Sequence, residues 1–532
     1  MAAPQSGIHT APRMGDGALR GRTPKQGPAC PGALDAWQTL AAVLGLAAMA
    51  VYRVSGAVVD PDLWHEMALF RAALALGSLP LRDLFAYTPT VFPFVHHEWA
   101  AGAIGYAVAR GLGGAGLVAL RYALLFGLLA ICWQVNRARQ VRFAVVAPTA
   151  MLALLLVDAG FSTVRAQMYS FVLLAALLYL LELDRRGHRT WIALWLALYV
   201  VWLNLHGGFL VGVGLYFLHW LETWLRGEPH RHLLFAGIAM LPLMLVTPYH
   251  VHYPAYLFHA LTTNRSHVPE WGSLGSAGGA GAIGAYAASL LVLAYCVRYG
   301  GRRLRGLALV LATAAYALTA QRMLPLYGIV WLCYVPSYLA PTPLGAHLAR
   351  AWTRRPLQLA FWVASILVFS AAAWPAQPWR ARVPGERDPR LATQHMIYPV
   401  GAVNYLAQHG FAGNVLVGFD WGSYLSWKLY PKVKVSMDSR FEVAYPPEVE
   451  AEQYAFFSGE PGWQRLLDAE PYRATDLILA PRFLASRIHE KLADLPGWQR
   501  VYRDKSFELF ARDRSALPPV DRPDASDEGS FP

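Results

Sequence analysis

The sequence predicts a mainly α protein: a polytopic bundle of about eleven transmembrane helices with a long first outer loop and a small C-terminal α/β domain outside the membrane. Three observations carry that expectation. Of 532 residues, 55% are hydrophobic and only 15% charged, with 19 tryptophans, which is the profile of a chain that lives in a bilayer. The apolar residues are gathered in long runs separated by short arginine-bearing loops. Beyond residue 394 the pattern changes to short β-like runs alternating with helical ones.

Taken in order, residues 1–35 are rich in Gly, Pro, Ala and Arg without a sustained apolar run, and read as a disordered basic cytoplasmic tail rather than a cleavable signal. Residues 36–375 form the transmembrane domain, with spans expected near 37–57, 115–135, 142–158, 166–183, 190–204, 208–224, 232–247, 279–297, 304–320, 324–340 and 357–375. The apolar piece 99–112 is short and runs into Gly111, Gly113, Gly114 and Gly116, so it reads as a juxtamembrane or re-entrant helix that completes the first outer loop, 58–114. Cys132, Cys296 and Cys333 fall within spans and Cys30 in the tail, a pattern that predicts no disulfide.

The charges orient this bundle. Arg13, Arg20, Arg22 and Lys25 place the tail inside, and single crossings then put Arg137/Arg139/Arg142, Arg185/Arg186/Arg189, Arg226/Arg231, Arg302/Arg303/Arg305 and Arg350/Arg354/Arg355 inside as well. Counting 99–112 as a crossing would move all five clusters outside. The net charge of +12 is accounted for by these loops, and no nucleic-acid partner is implied. Every unusual polar motif then falls on the outer face.

After a Pro- and Arg-rich linker at 376–393, residues 394–514 alternate strand-like 415–419, helix-like 421–429, strand-like 432–437, and later strand-like 477–480 and 507–511. Asp438-Ser-Arg440 ends one of these strands, where α/β sheets carry ligand residues, although a structural ion pair is the commoner role. The aromatic helix from Trp421 to Trp427 is expected to pack on the sheet. Residues 515–532 are rich in Pro, Asp and Ser and read as a disordered tail.

The candidate site starts at Asp60-Pro-Asp-Leu-Trp-His-Glu66, directly after the first span. Leu63, Met67, Phe70 and Leu74 recur at helical spacing, which predicts a helix lying in the interface with Asp62 and Glu66 stacked one turn apart. Pro61 can start that helix with Asp60 as its N-cap, so the acids also have a purely structural reading. As chemistry, Asp60 and Asp62 are the carboxylates expected of a general base at the membrane surface. A phosphate-bearing lipid would need fixed cations at headgroup depth, and Arg165, Arg322 and Arg265 sit at outer ends of spans or in outer loops. Interfacial snorkelling accounts for any one of them equally well. Asn204-Leu-His206-Gly-Gly208 interrupts two spans with two hydrogen-bonding side chains and glycines that admit a close ligand. His65, His96, His97, His206, His250, His252 and His259 permit a divalent cation, but only the weak His250-x-His252 has a ligand-like spacing.

The set Asp60-x-Asp-Leu-Trp-His-Glu66, Gly77-x-x-Pro-x-x-Asp83, His97-Glu98-Trp99, Arg165-x-Gln, Asn204-x-His-Gly-Gly, Glu270-Trp and Gln321-Arg322 resembles a large group of bacterial multi-pass proteins related to polyprenyl-phosphate-dependent (GT-C fold) glycosyltransferases, over most of residues 36–510. In that superfamily the first outer loop holds juxtamembrane helices and an essential Asp four residues before an aromatic; Asp60 stands four before Trp64. A later outer Asp is matched by Asp158, and a position often held by Lys is here His206, so phosphate contact would pass to Arg165, Arg322 or a protonated histidine. The resemblance implies a glycosyltransferase of the bacterial cytoplasmic membrane, N-terminus inside, moving a sugar from a polyprenyl-phosphate donor to a glycan, lipid or protein acceptor on the outer face. Asp60, Asp62 and Glu66 would form its catalytic set, with His65, His97, Glu98, Asp158, Arg165, Asn204, His206, Glu270 and Arg322 binding substrate. Two other readings stand beside it: a non-catalytic lipid-carrier transporter or assembly scaffold, and an enzyme of the O-antigen ligase or polymerase kind.

Overall fold

The computed structural model describes residues 33–532 except 57, 263–268, 302–303, 353, 387–395, 513–516, 523, 526, 530 and 532. The expected basic tail up to residue 32, Cys30, Arg265, Arg302, Arg303 and part of the expected linker lie outside the described residues.

The chain is mostly helical. Six helices among the described residues are long and apolar enough to cross a membrane: Ala36–Val54, Trp99–Ala138, Phe143–Phe161, Gln167–Arg185, Ala280–Gly300 and Pro356–Ala376. A seventh arises if the pair Gln321–Leu339 and Pro343–Ala351, bent by 92°, is one span. Four shorter apolar helices, Trp191–Leu205, Phe209–Leu225, Arg231–Leu243 and Leu307–Thr319, stand where further spans are expected. Leu324–Leu339 is the centre of the bundle, buried at every position but Ser337, which suits a helix that is apolar on all sides. The 40-residue helix Trp99–Ala138 is two arms joined at Gly113, whose φ of 61° and ψ of −155° are open only to glycine. The break falls within the glycine cluster at 111–116.

At the end of the bundle away from the site, the loop arginines are paired. Arg139 and Arg185 reach Glu182 at 3.2 and 3.5 Å, Arg226 reaches Glu222 at 3.0 Å, and His232 meets Asp184 at 2.8 Å.

The first loop begins with strand β1, Val58–Val59, which pairs in parallel with β2, Thr163–Val164. The helix Pro61–Leu76 follows, capped by the Asp60 carboxylate accepting from the Asp62 N–H at 3.1 Å, started by Pro61 and stopped by Gly77 in the left-handed region. It is not amphipathic. Leu63 to Leu69 are buried without interruption, and of the expected apolar stripe Leu74 is exposed. The reason is a roof that local periodicity cannot reveal: the C-terminal domain sits on top of it. Trp64, fully buried, packs its ring against Tyr398, Tyr424, Trp427 and Phe531.

That domain holds a mixed sheet of order β4-β3-β5-β7-β6-β8, made of β3 Gly413–Leu416, β4 Val433–Val435, β5 Leu477–Pro481, β6 Trp498–Arg503, β7 Phe507–Arg512 and β8 Val520–Asp521. Its open β4 edge is covered by the first loop: Tyr87 N–H donates to Val435 O at 3.1 Å and Val435 N–H to Phe85 O at 3.0 Å. Two expectations change here. The described part of the linker is no loose tether, because Arg382 O accepts from Val59 N–H at 3.2 Å and Val383 is buried. The tail expected to be disordered carries β8 on β6 and places Phe531 against Trp64, since its few apolar residues find partners far away in sequence.

Candidate functional site

The β1–β2 register builds the first part of the site. Val59 lies opposite Val164, so the next residues on the two strands, Asp60 and Arg165, emerge side by side, with Arg165 Nη1 3.8 Å from Asp60 Oδ2. Both open onto a cavity of about 970 Å³ between the bundle end and the C-terminal domain. Burial raises the Asp60 carboxyl above its usual range while Arg165 and the Asp62 N–H pull it back, and the nearby His65 supplies no counter-charge. Its own ring is pushed down to about 3 by burial and Arg440, and its Nδ1 lies 3.1 Å from Ser439 Oγ. Asp62 also lines the cavity and is pushed well up by burial, Asp60 and Glu98.

The next part is a cation pair with an acid between. Glu270 meets Arg165 Nη1 at 3.1 Å and Arg322 Nη1 at 3.1 Å, one carboxylate oxygen toward each. Burial opposes its charge, but the two guanidiniums hold it down at about 2. The loops carrying it are tied together, with Gln321 N–H donating to Gly272 O at 2.9 Å and the Arg322 guanidinium 4.4 Å over the Trp271 ring.

The third part is Glu98 flanked by imidazoles, His97 Nε2 at 3.3 Å and His206 Nε2 at 3.4 Å. His206 Nδ1 accepts the Gly208 N–H at 2.8 Å, which assigns the neutral ring's proton to Nε2, toward Glu98. Burial works against the Glu98 charge, yet His97 and His206 hold its carboxyl well below the usual range. His206 itself is pushed down to about 4 by burial.

Three expected residues do not line the cavity. Glu66 points beneath it, fully buried, and burial and Glu98 raise its carboxyl well above the usual range. Asp158 turns away to Arg53, whose Nε donates to it at 2.6 Å. Asn204 is a joint between helices: its oxygen accepts from Trp99 Nε1 at 2.8 Å, and its amide donates to Val200 O and Val246 O, both at 2.9 Å. These are structural partners, and the two residues leave the candidate set.

The far wall comes from the C-terminal domain, which the sequence reading leaves out of the site. Asp420, in the first turn of the helix Phe419–Leu429, faces the cavity with its carboxyl raised to about 6 by burial and by Asp60. Its one signal was its place just after strand β3. Trp421 also reaches the wall, but its ring packs edge-on against Phe507, as expected of a sheet-packing aromatic. Asp438 and Arg440 form a buried ion pair together with Asp83 of the first loop. Among the described residues no group of three or more His, Cys, Asp or Glu side chains is arranged as a metal site, and His250 and His252 lie away from the cavity lining.

No family model matches the chain, and no curated protein does. Solved structures match, among them three with TM-scores of 0.50 to 0.52. ArnT from Cupriavidus metallidurans bound to undecaprenyl phosphate gives 0.52 at 14% identity, over 91% of this chain and 99% of that one. The arabinofuranosyltransferase AftD from mycobacteria gives 0.50 at 17% identity, over 90% of this chain but 40% of its own. The Archaeoglobus fulgidus oligosaccharyltransferase in the apo form gives 0.50 at 11% identity, over 91% and 75%. At such identities the likeness is one of fold.

Proposed function

We propose that this chain, which has the fold of GT-C membrane glycosyltransferases, is itself a glycosyltransferase that moves a sugar from a polyprenyl-phosphate donor to an acceptor hydroxyl at the outer face of the cytoplasmic membrane. The observation that carries the reading is the juxtaposition of the Asp60 carboxylate with Arg165 in a cavity that Arg322 also lines. An acceptor hydroxyl gives its proton to Asp60 as its oxygen bonds to the anomeric carbon. The bond from that carbon to the donor phosphate breaks, its electron pair staying on the phosphate, which Arg165 and Arg322 receive. Leu257, Leu261 and Leu326 in the lining suit the polyprenyl chain, and Asp420 and Gln453 suit a hydroxyl-rich acceptor.

Mass spectrometry of surface glycans from a strain lacking the protein tests the reading. A lost or truncated glycan, restored by the wild-type chain, is the expected result; an unchanged glycan profile would remove the transferase function.

In the restored strain, Arg165→Lys and Arg322→Lys keep a charge but lose the planar two-pronged contact to phosphate, so turnover should fall about tenfold or more while insertion is unaffected. Wild-type turnover in both would leave these residues as interfacial anchors.

The same reading fixes orientation. A reporter that works only in the cytoplasm should stay dark when fused after residue 512 and be bright at the N-terminus; the reverse pattern would turn the cavity to the wrong side of the membrane.

A further inference from the structure

The two arginines of the cavity are not bare. Glu270 stands between them at 3.1 Å from each, and Asp60 is a further 3.8 Å neighbour of Arg165. Glu270 is also fixed from outside the pair: it belongs to the single turn Pro269–Trp271, whose tryptophan lies under the Arg322 guanidinium and whose next residue, Gly272, accepts a backbone hydrogen bond from Gln321. Its side chain is 37% exposed, toward the cavity it lines. It is therefore an anion anchored through its backbone beside the two cations.

We infer that Glu270 selects the donor by charge, matching the Arg165–Arg322 pair to a carrier joined to its sugar through one phosphate, a diester with a single negative charge, and rejecting one joined through a diphosphate. This rests on the donor class proposed above and narrows it. Two guanidiniums and the Glu270 carboxylate leave one positive charge, which the ionised Asp60 already offsets, so a phosphodiester adds one negative charge to a balanced site and a diphosphate adds at least two. A diphosphate brings a second anionic phosphate against Glu270 and against the ionised Asp60 that the chemistry requires, and like charges held a few ångströms apart in a partly dry cavity discriminate strongly.

The same residue acts at the end of the reaction. Transfer leaves the carrier as a phosphate monoester bearing about −1.5 to −2 charge at neutral pH, more than the diester that entered. Glu270 thus favours the substrate over the product at the same pair of cations, and helps the spent carrier leave.

The test is direct binding to full-length protein in lipid nanodiscs, with undecaprenyl methyl phosphate as the singly charged diester probe and undecaprenyl diphosphate as its rival. The wild type is expected to prefer the diester by about tenfold or more. Glu270→Gln should erase that preference, chiefly by tightening the diphosphate, and Glu270→Asp, which keeps the charge, should retain it. Two results overturn the inference alone while leaving the donor reading standing: a diester preference that Glu270→Gln does not change, or a wild type that binds both probes equally well. A wild type that prefers the diphosphate also overturns it. Binding of neither probe overturns it together with the polyprenyl-phosphate donor.

Discussion

Replacing Arg440 by alanine should destabilise the docked C-terminal domain by about 3–5 kcal/mol. Arg440 Nε and Nη2 donate to the two Asp438 oxygens at 2.8 and 2.7 Å, while its Nη1 meets Asp83 of the first loop, and all three side chains are 2% exposed or less. Without the guanidinium two carboxylates are left buried without a counter-charge, which costs more than the pair itself contributes. Because Asp83 belongs to the loop and Asp438 to the domain, the loss should appear as undocking: faster proteolysis of residues 396–512 and a lower melting temperature in detergent. Arg440→Lys should fall between, since an ammonium keeps the charge but cannot serve both acids with planar contacts. Adding Asp83→Asn and Asp438→Asn to Arg440→Ala should restore part of the stability. Wild-type proteolysis of the alanine variant would mean that the triad does not hold the domain. Turnover should fall with docking, because the same interface sets Ser439 against His65 and Asp420 across from Asp60.

The parts legible in the sequence are those set by local composition. Apolar runs mark the helices because a span needs length and apolarity, and Gly113 marks the break between the two arms because its backbone conformation is open to no other residue. Strands β3, β4, β5 and β7 follow from short β-branched and aromatic runs. Strand β6 does not, because Gln499, Arg500 and Arg503 interrupt its pattern, and Arg500 and Arg503 are accommodated by Glu508 on the neighbouring β7, at 3.8 and 3.4 Å. Strand β8 has two residues and exists only through its pairing with β6.

In the site, residue types were legible and partnerships were not. The sequence offers Asp60 and Arg165 as candidates, but their meeting depends on two paired two-residue strands more than a hundred positions apart. Asp158 carries the same residue type as Asp60 and is spent on Arg53, an assignment that only the packing of the first helix against the 158–161 turn decides. Glu270 was found as a motif acid beside a tryptophan, with no sign that two arginines from other loops would close on it.

Asp60→Asn should lower turnover by about 10²–10⁴-fold, the usual contribution of a general base, and leave donor affinity within about twofold. Asparagine is the informative replacement because Asp60 has two tasks on two oxygens: Oδ1 caps the helix Pro61–Leu76, and Oδ2 faces Arg165. Asparagine caps a helix as well as aspartate, so the helix start survives and only the proton acceptor is lost. The pH dependence has a definite sign. A base works ionised, and burial raises the Asp60 carboxyl, so activity should climb with pH along a limb whose midpoint lies above the ordinary aspartate range. Asp62 is raised as well and interacts with Asp60, so the limb reports the pair. Arg165 is the main influence pulling Asp60 down, and Arg165→Gln should therefore shift the limb to higher pH in whatever activity it retains. Turnover and donor affinity measured for Asp60→Asn beside Asp62→Asn decide the assignment. If only Asp62→Asn is inactive, the base is the other member of the pair; if both turn over normally, the cavity binds a lipid carrier without transferring from it, and the chain is a scaffold built on a transferase fold.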